Sequence, residues 1–252
     1  MLLDGKALLI TGAGGGIGRA AAIAATREGA RLMLADLDEQ AAAQVAREVR
    51  SGGGQADSVK VDIGDPAQVE YMIERSLEAL GGLDAAFNNA GLGSTGSGGG
   101  GLRLGELPDD AWERVIRTNL TGTWLCMKAE IAHFAECGGG AILNMASISG
   151  LRGMALSGAY VASKHGVVGL TRSASIEYAA DNIRINCICP GLVDTNFLPV
   201  RLRETAEPPP GVPLGRLGTP EEIAELAIWM LSDRASYMAG AAVTVDGGFT
   251  AK

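Results

Sequence analysis

Strand-like and helix-like segments alternate along the whole chain, and this alternation limits the fold more than any other feature. Short apolar, β-branched runs predict seven strands, at 6–11, 31–36, 57–62, 83–88, 140–146, 183–189 and 241–246. Helical spacing predicts helices at about 17–28, 38–50, 109–136 and 220–232. Two further helices are predicted: one with Asp65 as N-cap and Pro66 as first residue, and one that contains Tyr160 and ends at about 180. Parallel strands need crossovers of this length, so we predict one α/β domain over residues 1–252, with a doubly wound sheet.

The composition argues against two classes of partner. The 252 residues are 47% hydrophobic and carry a net charge of −8 at pH 7. Such a chain can bury a sizeable core, but it lacks the basic balance that a nucleic-acid partner requires. No uncharged run reaches the roughly eighteen residues of a membrane span. The opening MLLDGKALLIT indicates a first strand rather than a signal sequence, so we expect a cytoplasmic protein that binds neither nucleic acid nor membrane.

The cysteines and histidines do not have the spacing of a metal site or a disulfide framework. The four cysteines, at 126, 137, 187 and 189, form no CxxC, and the two histidines are not paired at ligand spacing. Cys187 and Cys189 alternate along a predicted strand and share one face, as in an ordinary buried strand. We therefore expect no metal.

Two long segments interrupt the alternation, and each follows a predicted strand. Residues 91–108 are glycine-rich and predict a long mobile loop. The proline-rich segment 197–220 is either a surface excursion or a substrate lid. Because the carboxyl ends of parallel strands share one edge of a sheet, we favour a lid over about 196–219.

The turn after the first predicted strand is built largely from glycines. TGAGGGIG, Thr11 to Gly18, joins that strand to the first predicted helix. Glycines here would allow a tight turn and a close approach to a pyrophosphate, which the helix N-terminus stabilises. Asp36 follows 20 residues beyond Gly16, where a carboxylate can accept hydrogen bonds from an adenosine ribose. The candidate cofactor-binding residues of this region are Gly12, Gly15, Gly16, Ile17, Gly18, Asp36 and Leu37.

The Asp36 carboxylate also predicts which dinucleotide is bound. A 2′-phosphate would face a like charge, at a cost on the order of 4 kcal/mol at an effective dielectric of 20. Neither Gly15 nor Leu37 offers a compensating cation, although Arg19 is near in sequence. We therefore predict NAD(H) rather than NADP(H). The alternative role of Asp36 is a helix cap, which Asp38 fills better.

Tyr160 and Lys164 are four residues apart in a helical pattern, so their side chains share one face. In a site shielded from water, an ammonium about 4 Å away could lower the phenol pKa by roughly three units from about 10. Tyr160 could then act as general base for oxidation and general acid for reduction. Ser147, 13 residues earlier, could orient the substrate oxygen, with Ser149 as a rival. The alternative is a surface pair on an amphipathic helix.

Several motifs in this order resemble the short-chain dehydrogenase/reductase family, of the type near 250 residues. They are TGxxxGIG from Thr11, NNAG at 88–91, Asn119, Ser147, YVASK at 160–164 and PG at 190–191, and the match extends from residue 2 to 248. The resemblance implies a Rossmann-type sheet of seven parallel strands with helices on both faces, a dinucleotide cofactor and usually a tetramer. It also favours Ser147 over Ser149.

The resemblance carries further residues over to the site. It implies that Asp62 and Ile63 contact adenine, and that Asn89, Ala90 and Gly91 form the strand end beside the ribose. It also implies that the segment after the sixth predicted strand contacts the nicotinamide half of the cofactor, through Pro190, Gly191, Val193 and Thr195. Val193 and Thr195 would hold the amide group of the nicotinamide. Asn119 would hold a water that connects Lys164 to solvent. The implied catalytic set is therefore Asn119, Ser147, Tyr160 and Lys164, of which Tyr160 and Lys164 also contact the cofactor.

Three functions are consistent with these observations. We favour an NAD(H)-dependent oxidoreductase that interconverts a secondary alcohol and its ketone. The first alternative is a 3-oxoacyl thioester (acyl carrier protein) reductase, which would be expected to use NADPH and an electropositive entry. The second is a non-catalytic dinucleotide sensor. The apolar segment 123–134 is a candidate face for a homotetramer or plain core packing.

Overall fold

All seven strands of the computed structural model lie in one parallel sheet. The structure describes residues 1–93, 100–198, 203–204, 207 and 209–251. The strands are β1 (Ala7–Thr11), β2 (Arg31–Asp36), β3 (Gln55–Lys60), β4 (Ala85–Asn88), β5 (Gly140–Met145), β6 (Ile183–Pro190) and β7 (Ala242–Val245). Their spatial order is β3-β2-β1-β4-β5-β6-β7, which confirms the predicted doubly wound sheet. The direction of winding changes between β1 and β4, where such folds open a crevice beyond the strand ends.

Seven α-helices lie entirely within the described ranges and connect the strands. They are α1 (Gly16–Arg27), α2 (Glu39–Ser51), α3 (Pro66–Leu80), α4 (Asp109–Ile116), α5 (Thr123–Cys137), α6 (Gly158–Tyr178) and α7 (Pro220–Leu231). Asp38 caps α2 by accepting from the Gln40 and Ala41 amides, as predicted. Asp65 caps α3 in the same way, with Pro66 as the first helical residue. These aspartate side chains thus accept hydrogen bonds from backbone N–H groups that have no partner within the first turn of the helix.

The helices cover both faces of the sheet. Leu8 and Ile10 of β1 pack with apolar residues of α1, α2 and α7 on one face. Leu9 points to the opposite face, where the core includes residues of α3, α5 and α6. Because successive strand residues alternate between the faces, one continuous apolar strand supplies both cores.

Two predicted elements differ from the structure. The third strand is Gln55–Lys60 rather than 57–62, since its ladder pairs Gln55 with Arg31 and ends at Lys60 opposite Asp36. The chain then turns at Asp62, whose side chain accepts from the Gly64 amide. The predicted helix 109–136 is also interrupted: a π-helical turn, 117–122, separates α4 from α5.

The two long segments are described only in part. Residues 94–99 of the glycine-rich loop, and 199–202, 205–206 and 208 of the lid segment, lie outside the described residues, so the prediction of mobility is not tested. Near the two ends of the proline-rich segment, Val193 forms a parallel bridge with Gly218. A Cβ on Gly93 would lie 3.1 Å from the Phe197 ring, so the two segments meet at one rim. Within the described ranges, no helix is long and apolar enough to cross a membrane.

Candidate active site

The glycine turn lies directly against the end of β4. A Cβ on Gly12 would be 2.7 Å from Ala90 Cα, and Gly12 has φ +64°, so only glycine fits this approach. A Cβ on Gly18 would collide with the Gly12 carbonyl oxygen. Asn89 Nδ2 donates to the carbonyls of Thr11 and Gly12, at 3.1 and 3.0 Å. These contacts hold the ends of β1 and β4 together at the crevice.

The remaining predicted turn residues line the start of α1. Gly15 is its N-cap, in extended backbone, and Ile17 is partly buried against the α1, α2 and α7 core. A Cβ on Gly16 would lie 3.3 Å from Thr195 Cγ2, which places the segment after β6 across the crevice from the turn. Pro190 ends β6 opposite Val245.

Asp36 is bonded to the glycine turn. Its Oδ2 accepts from the Gly14 amide at 2.8 Å and its Oδ1 from the Asp38 amide at 2.9 Å. Gly14 was not among the predicted residues, because nothing in the spacing singles out an amide. The neighbouring Leu37 side chain is exposed. Each carboxylate oxygen can accept a second hydrogen bond, so both stay available to a ribose.

Arg19 does not compensate the Asp36 charge. Its guanidinium forms a two-point pair with Glu48, with Nε 2.9 Å from Oε2. This pair directs the Arg19 guanidinium toward Glu48 rather than toward Asp36.

Asp62 and Ile63 follow β3 and reach the start of α5. Asp62 Oδ2 accepts from Arg117 Nη2 at 2.9 Å. Ile63 packs against Gly122, where a Cβ would be 2.8 Å from Ile63 Cδ1. Arg117 is a further residue of this region that the sequence did not reveal.

At the opposite end of the crevice, where the resemblance implies the nicotinamide, backbone contacts hold the segment that follows β6. The Gly191 amide donates to the Val245 carbonyl at 3.0 Å. Val193 is buried at its bridge with Gly218, and Thr195 Oγ1 lies 3.5 Å from the Val193 carbonyl.

Ser147 and Tyr160 come together beyond β5. Ser147 Oγ accepts from the Ser149 amide at 3.1 Å, and its hydroxyl lies near enough to the Tyr160 side chain to affect the pKa of the phenol. Ser147 is thus the serine in contact with the phenol, while Ser149 contributes an amide. Burial raises the pKa of Tyr160, and the Ser147 hydroxyl partly opposes that increase.

Lys164 lies beneath the phenol rather than beside its oxygen. Nζ is 5.7 Å from the centroid of the Tyr160 ring and donates to the Met145 carbonyl at 2.7 Å. Lys164 is 3% exposed, and burial lowers its pKa to about 8. In the protein alone, burial raises the pKa of Tyr160 rather than lowering it as expected from a nearby ammonium, and Lys164 Nζ is bonded to a backbone carbonyl.

Asn119 lies in the π-helical turn and is completely buried. Its Oδ1 accepts from the Leu92 amide at 2.6 Å, and its Nδ2 donates to the Leu92 carbonyl at 2.9 Å. A Cβ on Gly91 would lie 3.1 Å from Asn119 Oδ1 and 3.7 Å from Lys164 Nζ, so the three residues are adjacent. Asn119 fixes the loop after β4, and its role as a water holder stays a prediction.

The assembled crevice fits a dinucleotide. A glycine turn that admits close approach, the Asp36 carboxylate bonded to backbone amides, and a group of Tyr160 with the buried Ser147 and Lys164 follow each other along one rim of the sheet. Among the described residues, no group of three potential ligands could hold a metal ion.

Comparison with known proteins gives one consistent result. A family model described as enoyl-(acyl carrier protein) reductase matches residues 12–250. A 2,5-dichloro-2,5-cyclohexadiene-1,4-diol dehydrogenase of Sphingobium indicum is 39% identical over 99% of this chain and 98% of its own. A cyclohexanol dehydrogenase of Acinetobacter sp. is 40% identical over 99% and 96%. The crystal structure of a short-chain type dehydrogenase/reductase from Mycobacterium marinum has a TM-score of 0.91 at 34% identity, covering 99% and 97%.

The fold is thus that of the Rossmann-type oxidoreductases. Within that class, the chain belongs to the short-chain dehydrogenase/reductase family.

Proposed function

We propose that the chain is an NAD(H)-dependent dehydrogenase that interconverts a secondary alcohol and its ketone, within one catalytic domain. The observation that carries this proposal is the contact of Ser147 with Tyr160 above the buried Lys164 ammonium. A nicotinamide dinucleotide, when bound, supplies the acceptor or donor of hydride. The groups proposed to hold it are the glycine turn, the two residues at the end of β2 and the residues that follow β3, β4 and β6. Apart from the turn, they are Asp36, Leu37, Asp62, Ile63, Asn89, Ala90, Gly91, Pro190, Gly191, Val193 and Thr195.

The side chains divide the proton chemistry among them. Tyr160 Oη gives a proton to the ketone oxygen in reduction and takes it from the alcohol in oxidation. Ser147 Oγ orients the substrate oxygen and stabilises charge that develops there. Burial keeps the phenol protonated in the protein alone. The Lys164 side chain beneath the Tyr160 ring is the group proposed to favour the ionised phenol during the reaction. We propose that Asn119 and Lys164 complete the path of the proton toward solvent.

Tyr160→Phe tests the activity against the sensor alternative. We expect turnover to fall at least about 10²-fold, on the scale of general acid–base catalysis, while NADH binding followed by fluorescence persists. Tyr71→Phe, at an exposed position, is the matched control. Unchanged turnover in Tyr160→Phe would eliminate this role of the phenol.

The NAD preference rests on Asp36 and on the Arg19–Glu48 pair. Asp36→Ala should raise kcat/KM with NADP relative to NAD by at least about tenfold, because it removes a like charge. Asp38→Asn, which keeps a capping side chain, should leave the ratio unchanged. A wild-type preference for NADP(H) would contradict the assignment.

We propose a ring-shaped secondary alcohol as the substrate class. The two curated relatives above are named for a cyclohexadienediol and cyclohexanol. The rim of this chain presents apolar groups, with Phe197 and the half-exposed Leu156 on segments that border the site. A screen of cyclic alcohols, linear alcohols and 3-hydroxyacyl thioesters with NAD tests this. Preference for the thioesters would favour the alternative that the family model's description suggests, an acyl carrier protein reductase.

A homotetramer is proposed from the outer face of α5 and α6. Leu120, Trp124, Gly166 and Leu170 line an open apolar groove of about 440 Å³, and the Trp124 side chain is 46% exposed. α5 also buries Leu125, so segment 123–134 serves the core and presents a free face. Light scattering should show four copies, and Trp124→Arg should reduce that number. A monomeric wild type would contradict the proposal.

We propose a cytoplasmic location. All four cysteines are free thiols, and three of them are buried. Unpaired thiols are typical of a reducing compartment.

A further inference from the structure

Four polar side chains are enclosed in the core between β4, β5, α5 and α6. Glu130, Asn144 and Thr171 are completely buried, and Asn88 is 3% exposed. The residues around them belong to the apolar core that includes Met72, Ile73 and Leu125, among others. No step proposed for the active site uses these four groups.

The four side chains form one chain of hydrogen bonds. Asn88 Nδ2 donates to Glu130 Oε2 at 2.9 Å and to Asn144 Oδ1 at 3.1 Å. Asn144 Nδ2 in turn donates to Thr171 Oγ1 at 2.9 Å. In the part of the chain that the structure describes, no cation pairs with Glu130.

Two atoms of this cluster lack a partner, and they belong to the same pair. Among the described residues, the buried side-chain atoms without a hydrogen bond are Glu130 Oε1 and Asn88 Oδ1. A carboxylate oxygen and an amide oxygen both accept, so an ionised Glu130 leaves each of them unsatisfied. A buried charge with no counter-ion and an orphaned acceptor is a costly combination.

One proton removes the conflict. When Oε1 carries hydrogen, the hydroxyl can donate to Asn88 Oδ1 while one Asn88 N–H donates to Oε2, which closes a cyclic acid–amide pair. The second Asn88 N–H remains for Asn144 Oδ1, as observed. Both N–H groups of the Asn88 amide then donate a hydrogen bond, and its oxygen accepts one from the Glu130 hydroxyl. Neither Asn88 Oδ1 nor Glu130 Oε1 is left without a partner.

We propose that Glu130 is a protonated carboxylic acid that forms a cyclic pair with Asn88 and positions the ends of β4 and β5 beneath the active site. Asn88 directly precedes Asn89, and Asn144 directly precedes Met145, whose carbonyl accepts the Lys164 hydrogen bond. This inference stands independently of the proposed substrate and cofactor.

The electrostatic surroundings of Glu130 agree with this state. Burial raises the pKa of Glu130 to about 8, and the Asn88 hydrogen bond opposes the increase only in part. Cys126, one turn earlier on α5, is the titratable group that faces it, and its own pKa is raised by burial and by Glu130. The facing groups of β4, β5 and α6 are Asn88, Asn144 and Thr171, none of which titrates.

Glu130→Gln is the decisive variant, because an amide can make the same two hydrogen bonds without a titrating proton. The folded protein holds the Glu130 proton more tightly than the unfolded chain, so the wild-type Tm should fall relative to the variant as pH rises from about 5 to about 8. Glu136→Gln, at an exposed site on the same helix, should follow the wild type. A constant Tm difference between wild type and Glu130→Gln across this range would overturn the proposal.

Two further measurements test the proton and the positioning separately. At pH 7, the infrared carbonyl band of a protonated carboxyl should be present in wild type and Glu136→Gln and absent in Glu130→Gln. Its absence from the wild type would overturn the proposal. Hydrogen exchange at Asn89 to Gly91 should be unchanged in Glu130→Gln and at least about tenfold faster in Glu130→Leu, which cannot bond Asn88. Equal protection in both variants would refute the positioning role. If Glu130→Leu does not fold, the first two results still decide the protonation state.

Discussion

Lys164 and Glu130 are two ionisable side chains that burial drives toward the same pH from opposite directions. Burial lowers the pKa of Lys164 to about 8 and raises that of Glu130 to about 8. Lys164 lies at the crevice, adjacent to Gly91 and beneath the Tyr160 ring, whereas Glu130 is enclosed between the sheet and α5. The comparison shows that a shifted pKa does not by itself identify a catalytic group, since the contacts around the group decide what its proton can reach.

The stability of the protein should respond to pH with opposite signs for the two groups. Glu130 has a raised pKa, so its contribution to the free energy of unfolding decreases between about pH 4.5 and 8, by on the order of 5 kcal/mol. Lys164 has a lowered pKa, so its contribution increases between about pH 8 and 10.5, by on the order of 3 kcal/mol. Urea unfolding of wild type, Glu130→Gln and Lys164→Met at fixed protein concentration separates the two. If the contributions of Glu130 and Lys164 to the free energy of unfolding changed with pH in the same direction, the predicted contrast between the two groups would be wrong.

Turnover should depend strongly on Lys164 and hardly at all on Glu130. Lys164→Met should lower kcat by about 10³-fold, because it removes the cation beneath the phenol, yet it should raise stability below pH 8 by relieving a buried charge. Glu130→Gln should change kcat by no more than about twofold, since its hydrogen bonds are kept. Steady-state kinetics together with unfolding curves check both. A large loss of kcat in Glu130→Gln would move Glu130 into the proton chemistry.

The two serines that follow β5, Ser147 and Ser149, test which side chains belong to the catalytic group. Ser147→Ala should lower kcat by about 10²-fold, because its hydroxyl contacts Tyr160. Ser149→Ala should have little effect, since Ser149 offers its amide, which alanine retains. The reverse order of effects would reassign the catalytic serine.

The smallest effect is expected where the buried chain ends. Thr171→Val removes the oxygen acceptor of Asn144 Nδ2, leaves it only the Met127 sulfur at 3.3 Å, and should cost about 1–3 kcal/mol of stability. kcat should remain within about twofold, because Thr171 touches no proposed catalytic group. Thr171→Ser keeps the hydroxyl and serves as the control. If Thr171→Val disrupts turnover as strongly as Lys164→Met, the two buried groups are not separate units.

The sequence predicts much of the crevice because its parts are local. The strand, glycine turn and helix from Thr11 to Gly18 depend on neighbouring residues, and the caps Asp38 and Asp65 act within three residues of their own positions. The helix face shared by Tyr160 and Lys164 follows from helical spacing alone.

The remaining features depend on contacts between distant parts of the chain. The Met145 carbonyl that accepts from Lys164 is a backbone atom, which no residue pattern reveals. Glu130, next to Ala129 and Ile131, has the ordinary pattern of a polar helix residue, and its burial follows only from the packing of α5 on the sheet. The third strand starts two residues early because pairing with β2, rather than local composition, sets its register.

The π-helical turn at 117–122 has a consequence for the evolution of this helix. Arg117 at its start contacts Asp62, Asn119 within it contacts Leu92, and Glu130 further along contacts Asn88. Each residue added to or removed from a helix rotates everything beyond it by about 100°. A change in length would therefore turn the side chains on one side of the π-helical turn away from their partners while those on the other side stayed in place. This segment should tolerate substitutions but neither insertions nor deletions.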